Sequence, residues 1–255
     1  MKKQFFALMF ALVWMVASAQ STFSPVTGKA FDIAIGANGA VWSVGTNFVV
    51  NQWNGSGWTQ AADQEGKWEL KDKVWVWQER KDMIRVAVDP QGNPWAIDKK
   101  FVLWRLVNNV WQQVATNTVS VGFGVNGSIY RTDVKYDLYQ WNGTNWGTSL
   151  DSDAADVFVS PQSNPWTTST KGQISRLVNG KLERVAGETY SLAISANGMV
   201  FHVGADYRRI WLWTGTNWVN IGEVPNASRI AADPRGALWV VTKEGVIYKS
   251  TPFTP

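Results

Sequence analysis

The sequence predicts an all-β chain, a six-bladed β-propeller closed by its own N-terminal strand. Three observations lead there. A strand–turn–strand pattern recurs six times. A hairpin bracketed by large apolar residues follows most copies. The last copy lacks a strand that the first residues of the mature chain can supply. Recurrence at a period of tens of residues marks stacked or circular repeats.

The pattern is anchored on an aromatic that follows a turn: Trp42, Trp95, Tyr130, Trp166, Phe201 and Trp239, at spacings of 53, 35, 36, 35 and 38 residues. Nine residues before each anchor stands Ile33, Val86, Val121, Val157, Leu192 or Ile230, and two further on Ile35, Val88, Phe123, Val159, Ile194 or Ala232. Apolar residues two apart mark a strand with one buried face. Tight turns follow. Asp89-Pro90-Gln91-Gly92 and Asp233-Pro234-Arg235-Gly236 carry Asp first, Pro second and Gly fourth, as a type I turn prefers. Asn38-Gly39, Asn126-Gly127 and Asn197-Gly198 supply residues that tolerate positive φ. The second strand carries the anchor.

A third strand ends at Trp53, Leu106, Trp141, Leu177 or Trp213, and a fourth opens at Trp58, Trp111, Trp146, Leu182 or Trp218. The loops between them include "WNGSGW" (53–58), "WNGTNW" (141–146) and "WTGTNW" (213–218). A four-residue hairpin loop places the bracketing residues opposite one another across antiparallel strands. Columns that accept Leu for Trp are packing columns, so these tryptophans are expected to be structural. The sixth unit stops near Ser250 without a fourth strand, while "TFSPVTGKA" (22–30) reads like the outer strands "WQQVAT" (111–116) and "ERVAGE" (183–188). Residues 22–28 are therefore expected to complete the last unit and lock it to the first. The 53-residue spacing reflects an insertion, "ADQEGKWELKDKVWVWQERKD" (62–82), whose "VWVW" alternates like a strand in an extra hairpin.

Lys2 and Lys3, the apolar run Phe5–Val16 and Ala17-Ser18-Ala19 have the form of a secretory leader (1–19) cleaved after Ala19. The expected mature chain is a single propeller of residues 20–255, secreted or periplasmic. Losing Lys2 and Lys3 takes Lys+Arg from 24 to 22 against 20 acids, a net charge of +2. That is no basic footprint for nucleic acid. With no cysteine and one histidine, His202, the chain has no thiolate nucleophile or histidine metal cluster. No carboxylate run has calcium-loop spacing. Neither cofactor, metal nor catalysis is expected.

"DIAIGANGAVWSVGTN" (32–47), "RVAVDPQGNPWAID" (85–98) and "RIAADPRGALWVVT" (229–242), with the W-N-G-x-x-W hairpins, resemble tectonin repeats across residues 30–250. The resemblance implies a six-bladed propeller and a multivalent, non-catalytic lectin for cell-surface glycans or lipopolysaccharide. Similar endings in sensor propellers leave a scaffold or sensor that binds a protein partner as the alternative. The resemblance supplies no short binding motif, so the site is sought by topology. In an up-and-down unit the 1–2 and 3–4 turns share one rim, and the 2–3 loops share the other with the 4–1 connections. The 2–3 loops "GTN" (45–47), "TDVKYD" (132–137), "TSTK" (168–171) and "GADYRR" (204–209) vary, and the insertion is a 4–1 connection. Variable loops over a rigid scaffold carry function. A sugar needs aromatic faces for its C–H side and planar polar groups for its hydroxyls. Trp68, Trp75, Trp77, Tyr136, Asp137, Tyr207 and Arg208 are the candidate ligand-binding residues, although Trp75 and Trp77 could instead cover a small core within the insertion. Asp32, Arg85, Ser120, Asp156, Ser191 and Arg229 form a column expected to line a central channel as a structural network, and His202 is expected to be packed within its strand.

Overall fold

The computed structural model describes residues 21–62 and 64–253. The leader and its cleavage site lie outside these residues. The described chain is all-β, with no helix.

Strand β1 (Phe23–Ile35) continues into an up-and-down run of β2 (Val41–Gly45), β3 (Val50–Trp53) and β4 (Trp58–Gln60). A separate two-stranded arm follows, β5 (Lys67–Lys71) and β6 (Val74–Gln78). Then come a four-stranded sheet, β7 (Met83–Val88), β8 (Pro94–Asp98), β9 (Leu103–Val107) and β10 (Val110–Ala115), and a three-stranded one, β11 (Thr118–Phe123), β12 (Ile129–Asp133) and β13 (Leu138–Gln140). Two more four-stranded sheets hold β14 (Asp156–Val159), β15 (Pro165–Thr168), β16 (Gln173–Val178) and β17 (Lys181–Glu188), then β18 (Leu192–Ile194), β19 (Val200–Val203), β20 (Arg209–Trp213) and β21 (Trp218–Glu223). The last strands, β22 (Ala227–Ala232), β23 (Leu238–Thr242) and β24 (Val246–Ser250), join β1 in one seven-stranded sheet, in the order β22-β23-β24-β1-β2-β3-β4.

β1 serves both ends of the chain. Phe23 to Lys29 pair with Ser250 to Val246, and Ala30 to Ile35 pair with Gly45 to Val41. The final unit thus receives its fourth strand from the N-terminus, as the sequence predicts, but from one continuous strand rather than two. Each first strand contacts the next, β1 to β7, β11, β14, β18 and β22, and β22 returns to β1.

The hairpin tryptophans are seam residues. Trp53 stands opposite Trp58, Trp141 opposite Trp146 and Trp213 opposite Trp218. Trp53 and Trp58 pack edge-on against Trp239 of the preceding unit, at 5.6 and 6.2 Å, and Trp213 meets Trp166 at 6.3 Å. Trp146 joins Trp95 and Phe123, while Trp111 joins Trp42. In each of these hairpins at least one large side chain therefore packs on the anchor aromatic of the neighbouring unit. Edge-to-face pairs add roughly 0.5–1.5 kcal/mol beyond area burial. The loop chemistry follows from the motif. Asn54 Oδ1 accepts from the amides of Ser56 and Gly57 at 3.0 and 2.9 Å, and Asn142 Oδ1 from Thr144 and Asn145 at 2.9 Å each. Gly55 and Gly143 follow at φ of 103° and 98°, which a side chain would strain.

Two expectations change. Trp146 opens no fourth strand: after its bridge to Trp141, residues 147–155 form only an isolated bridge, Leu138 to Asp151. "GTSLDSDAA" lacks the alternation that makes a paired strand worth burying. The 2–3 loops also do not differ in architecture. All six close as one four-residue turn, with the amide of Phe48, Phe101, Tyr136, Gly172, Tyr207 or Gly245 donating to the carbonyl three residues back. Only the turn at Gly204 is longer, returning to Arg209 after one extra residue. What varies is the side chain at the fourth, positive-φ position.

Candidate functional site

Two regions have the chemistry of a site: the central channel and the rim around one of its mouths.

The channel is a cavity of about 150 Å³ lined by all six first strands. Bulges within β1, between Ala30 and Asp32, and at the start of β7, β11 and β22 turn Asp32, Arg85, Ser120 and Arg229 inward. The column is an interlock. Asp32 Oδ2 accepts from the Val86 amide at 2.9 Å, Ser120 Oγ from Val157 at 3.2 Å and Ser191 Oγ from Ile230 at 3.0 Å, each reaching the next unit. Arg229 Nε lies 3.5 Å from Asp32, Arg85 Nε 3.8 Å from Asp32, and Arg85 Nη2 2.6 Å from Asp156. Ser120 donates to the other Asp156 oxygen. Burial pushes the Asp32 carboxyl above the usual carboxylate range, outweighing Arg85 and Arg229. All four carboxylate oxygens have a partner within the channel, and two positive and two negative side chains compensate one another. Among the described residues no three of His, Cys, Asp and Glu are grouped to hold a metal ion.

The rim differs. Seven aromatics are exposed: Phe31, Trp68, Trp75, Trp77, Phe101, Tyr136 and Tyr190. All seven lie on the side of the 2–3 turns and 4–1 connections. Residues at the entry to a unit's first strand stack there on the corner of its 2–3 turn. Phe31 lies on Phe48 at 5.2 Å and Tyr190 on Tyr207 at 6.0 Å, with Lys99 Nζ 3.5 Å from the Phe48 ring and Lys243 Nζ 3.2 Å from that of Tyr207.

The arm is rooted on this rim by Gln64, which is fully buried. Its Oε1 accepts from Val50 at 2.8 Å, and its Nε2 donates to the carbonyls of Lys81 and Phe48 at 2.8 and 3.3 Å. Asp72 and Lys73 form the two-residue turn, both at positive φ. Trp68 opposes Trp77 and Leu70 opposes Trp75, so alternation places all four on one face. They are 61, 49, 57 and 64% exposed in that order. Trp75 and Trp77 cover no core within the insertion.

Of the predicted residues, Trp68, Trp75 and Trp77 thus share one face. Tyr136 occupies the positive-φ corner of its turn, and Asp137 behind it is half-buried. Tyr207 holds the same corner in another unit, but Tyr190 and Lys243 engage its ring. Arg208 is ion-paired through Nε to Glu223 at 2.7 Å. Sequence reasoning missed Phe31, Phe48, Phe101 and Tyr190. The signal for two of them was present: Phe48, Phe101, Tyr136 and Tyr207 each stand six residues after an anchor aromatic.

No protein-family model matches the chain, and no curated protein matches its sequence. Solved structures do match its fold. A gluconolactonase, XC5397 from Xanthomonas campestris, is 13% identical with a TM-score of 0.68 over 92% of each chain. The virginiamycin B lyase of Staphylococcus aureus is 10% identical, with a TM-score of 0.62 over 92% of this chain and 99% of its own. The WD40 β-propeller domain of Doa1 matches at 10% and 0.62 over 92% and 97%. At such identity the likeness concerns the fold alone: the chain has the fold of β-propeller proteins.

Proposed function

We propose that the mature chain is a secreted, non-catalytic carbohydrate-binding protein. It is a six-bladed propeller closed by its N-terminal strand, and it recognises cell-surface glycans or lipopolysaccharide at several points of one rim. The observation that carries this reading is the confinement of every exposed aromatic among the described residues to that rim. Aromatic faces suit the C–H side of sugar rings. Scattered exposed apolar residues need no explanation, whereas clustered ones mark interaction surfaces. The mutual neutralisation of the channel carboxylates supports a non-catalytic role, and the tectonin-like repeats supply the link to glycans. The lactonase and lyase likeness extends to the fold and carries no chemistry to this chain.

A single shallow sugar site buries few atoms and binds weakly. Several on one rim gain by effective concentration at a coated surface. The test is binding of residues 20–255 to a glycan array and to lipopolysaccharide-coated surfaces, with free sugars as competitors. Tight surface binding with weak competition is expected; an empty array and no lipopolysaccharide binding would sink the reading. Docking of a protein partner is the second reading. It is favoured by β6, whose Val74 and Val76 expose apolar surface on the face opposite the tryptophans, more than a stacked sugar ring needs.

A further inference from the structure

The chain's only histidine lines a cleft that opens beside the Gly204–Arg209 turn of the rim but holds none of the exposed rim aromatics. Between β17 and the β18–β21 sheet opens a cleft of about 570 Å³, within the usual range for small-ligand pockets. It follows from a bulge in β17, where Gln173 pairs Glu188 but Ile174 already pairs Val185. At the bulge Gly187 has φ 103°, and a Cβ there would sit 3.0 Å from Trp218 Nε1. Trp218 instead donates to the Ala186 carbonyl at 2.5 Å. The seam at Gly28 uses the same device, Trp58 donating to the Thr27 carbonyl at 2.8 Å. The bulge is thus a packing device. What differs is the pair beside it: Ser43 opposite Asn51 in that unit, His202 opposite Trp211 here.

His202 is 3% exposed, and its Nδ1 lies 2.9 Å from the Val203 carbonyl. A carbonyl only accepts, so Nδ1 carries the proton and Nε2 is left as an acceptor. Nε2 has no hydrogen-bond partner among the described residues, and the cleft is the open space His202 lines. Trp211 lies parallel to the imidazole, 10° between planes at 6.3 Å, and Trp218 stands edge-on at 4.3 Å. Arg184 and Glu188 line the opposite wall with no ion pair among the described residues, and the Asp206–Arg209 pair closes one end at 3.1 Å. An acceptor of fixed tautomer at the cleft wall, indole surfaces and planar charged groups together suit a ring bearing several hydroxyls.

We propose that this cleft is a distinct carbohydrate site, taking one or two sugar rings with a hydroxyl donated to His202 Nε2 and its neighbours held by Arg184 and Glu188. The proposal rests on the carbohydrate reading above and adds a pocket to it. Because His202 is the sole histidine, a long-range ¹H–¹⁵N spectrum contains one imidazole. The methyl glycosides of glucose, mannose, galactose and N-acetylglucosamine are titrated at millimolar concentration. At least one is expected to shift Nε2 saturably. His202→Leu and Arg184→Ala, the second on an exposed side chain, should each weaken that sugar at least about tenfold. His202→Gln should recover part of the loss, and Trp75→Ala should leave it unchanged. If no glycoside moves the signal while the protein still binds glycan-coated surfaces, the cleft proposal falls and the carbohydrate reading stands. If a glycoside shifts Nε2 but no surface is bound, the rim assignment falls instead. If nothing binds in either arm, both fall.

Discussion

The two rims are built from the same turn and differ in what hangs on it. On the rim of the 1–2 turns, Asp89 and Asp233 each accept two backbone amides, from Gln91 and Asn93 and from Arg235 and Ala237, at 2.8–3.1 Å. On the other rim Asp98 and Asp133 do the same for Lys100 and Val102 and for Lys135 and Asp137, at 2.8–3.0 Å. The aromatics divide otherwise. Toward the 1–2 turns they point into seams: Trp42 Nε1 donates to the Gly92 carbonyl at 3.0 Å and Tyr130 Oη to that of Ser163 at 3.3 Å, each in the next unit. On the other rim seven stand exposed, two of them stacked on the half-buried Phe48 and Tyr207. One scaffold device thus serves both sides, and function is argued from side chains that stability does not require.

The largest effect tests the ring that both rims presuppose. Removing residues 20–28 takes the partner from β24 and opens an edge. Loss of a cooperative thermal transition is expected; an unchanged melting curve would break the closure argument. Next come the seams. Trp239 is 1% exposed between Trp53 and Trp58. Trp239→Ala should cost roughly 3–5 kcal/mol in denaturant titration. Trp141, half-buried beside a cavity of about 270 Å³, should cost less, and equal losses would show that seam burial is not what sets the scale.

His202 gives a pH test. Burial lowers its pKa from 6.5 to about 4, partly opposed by the Val203 carbonyl and Asp206. The unfolded chain therefore takes up a proton between about 6.5 and 4 that the folded chain refuses. Stability is full above the unfolded value and falls as the pH drops through that window, by up to about 3 kcal/mol. Asp206 and Arg209 from its own sheet and Arg184 and Glu188 from β17 face the same cleft. His202→Gln should flatten the slope between pH 6.5 and 4.5; an unchanged slope would assign it to other groups.

Much of the fold was legible because it is written in local chemistry. Alternation at Ile33/Ile35 or Val86/Val88, Asp-Pro-x-Gly turns and the Trp53/Trp58 register depend on residues within ten positions of each other. The missing last strand was legible by counting. The third unit's lost strand was not, because Trp146 promised a strand that the polar residues after it do not sustain. The site was legible in part. That Trp68, Leu70, Trp75 and Trp77 share a face depends on the position of the arm's turn at Asp72-Lys73, and the stacking of Phe31 on Phe48 depends on a bulge that no single-strand pattern displays. The His202 cleft depends on a register shift in a neighbouring sheet, a long-range fact.

The smallest effect on stability gives the sharpest test of the two rims. Trp75 is 64% exposed and rests on an arm clamped elsewhere, by Gln64. Removing its ring deletes little buried surface, so Trp75→Ala should change stability by no more than about 0.5 kcal/mol. Tyr136→Ala removes a positive-φ side chain from a turn whose fold rests on Asp133, and should be similarly mild. On a lipopolysaccharide-coated surface each variant should shorten residence, and together they should do so by more than either alone, since rim contacts act through effective concentration. Arg235→Ala, an exposed change on the 1–2 turns, is the matched control and should bind like wild type. If Arg235→Ala weakens binding while the double rim variant does not, the exposed aromatics are decoration and the binding face is the other one.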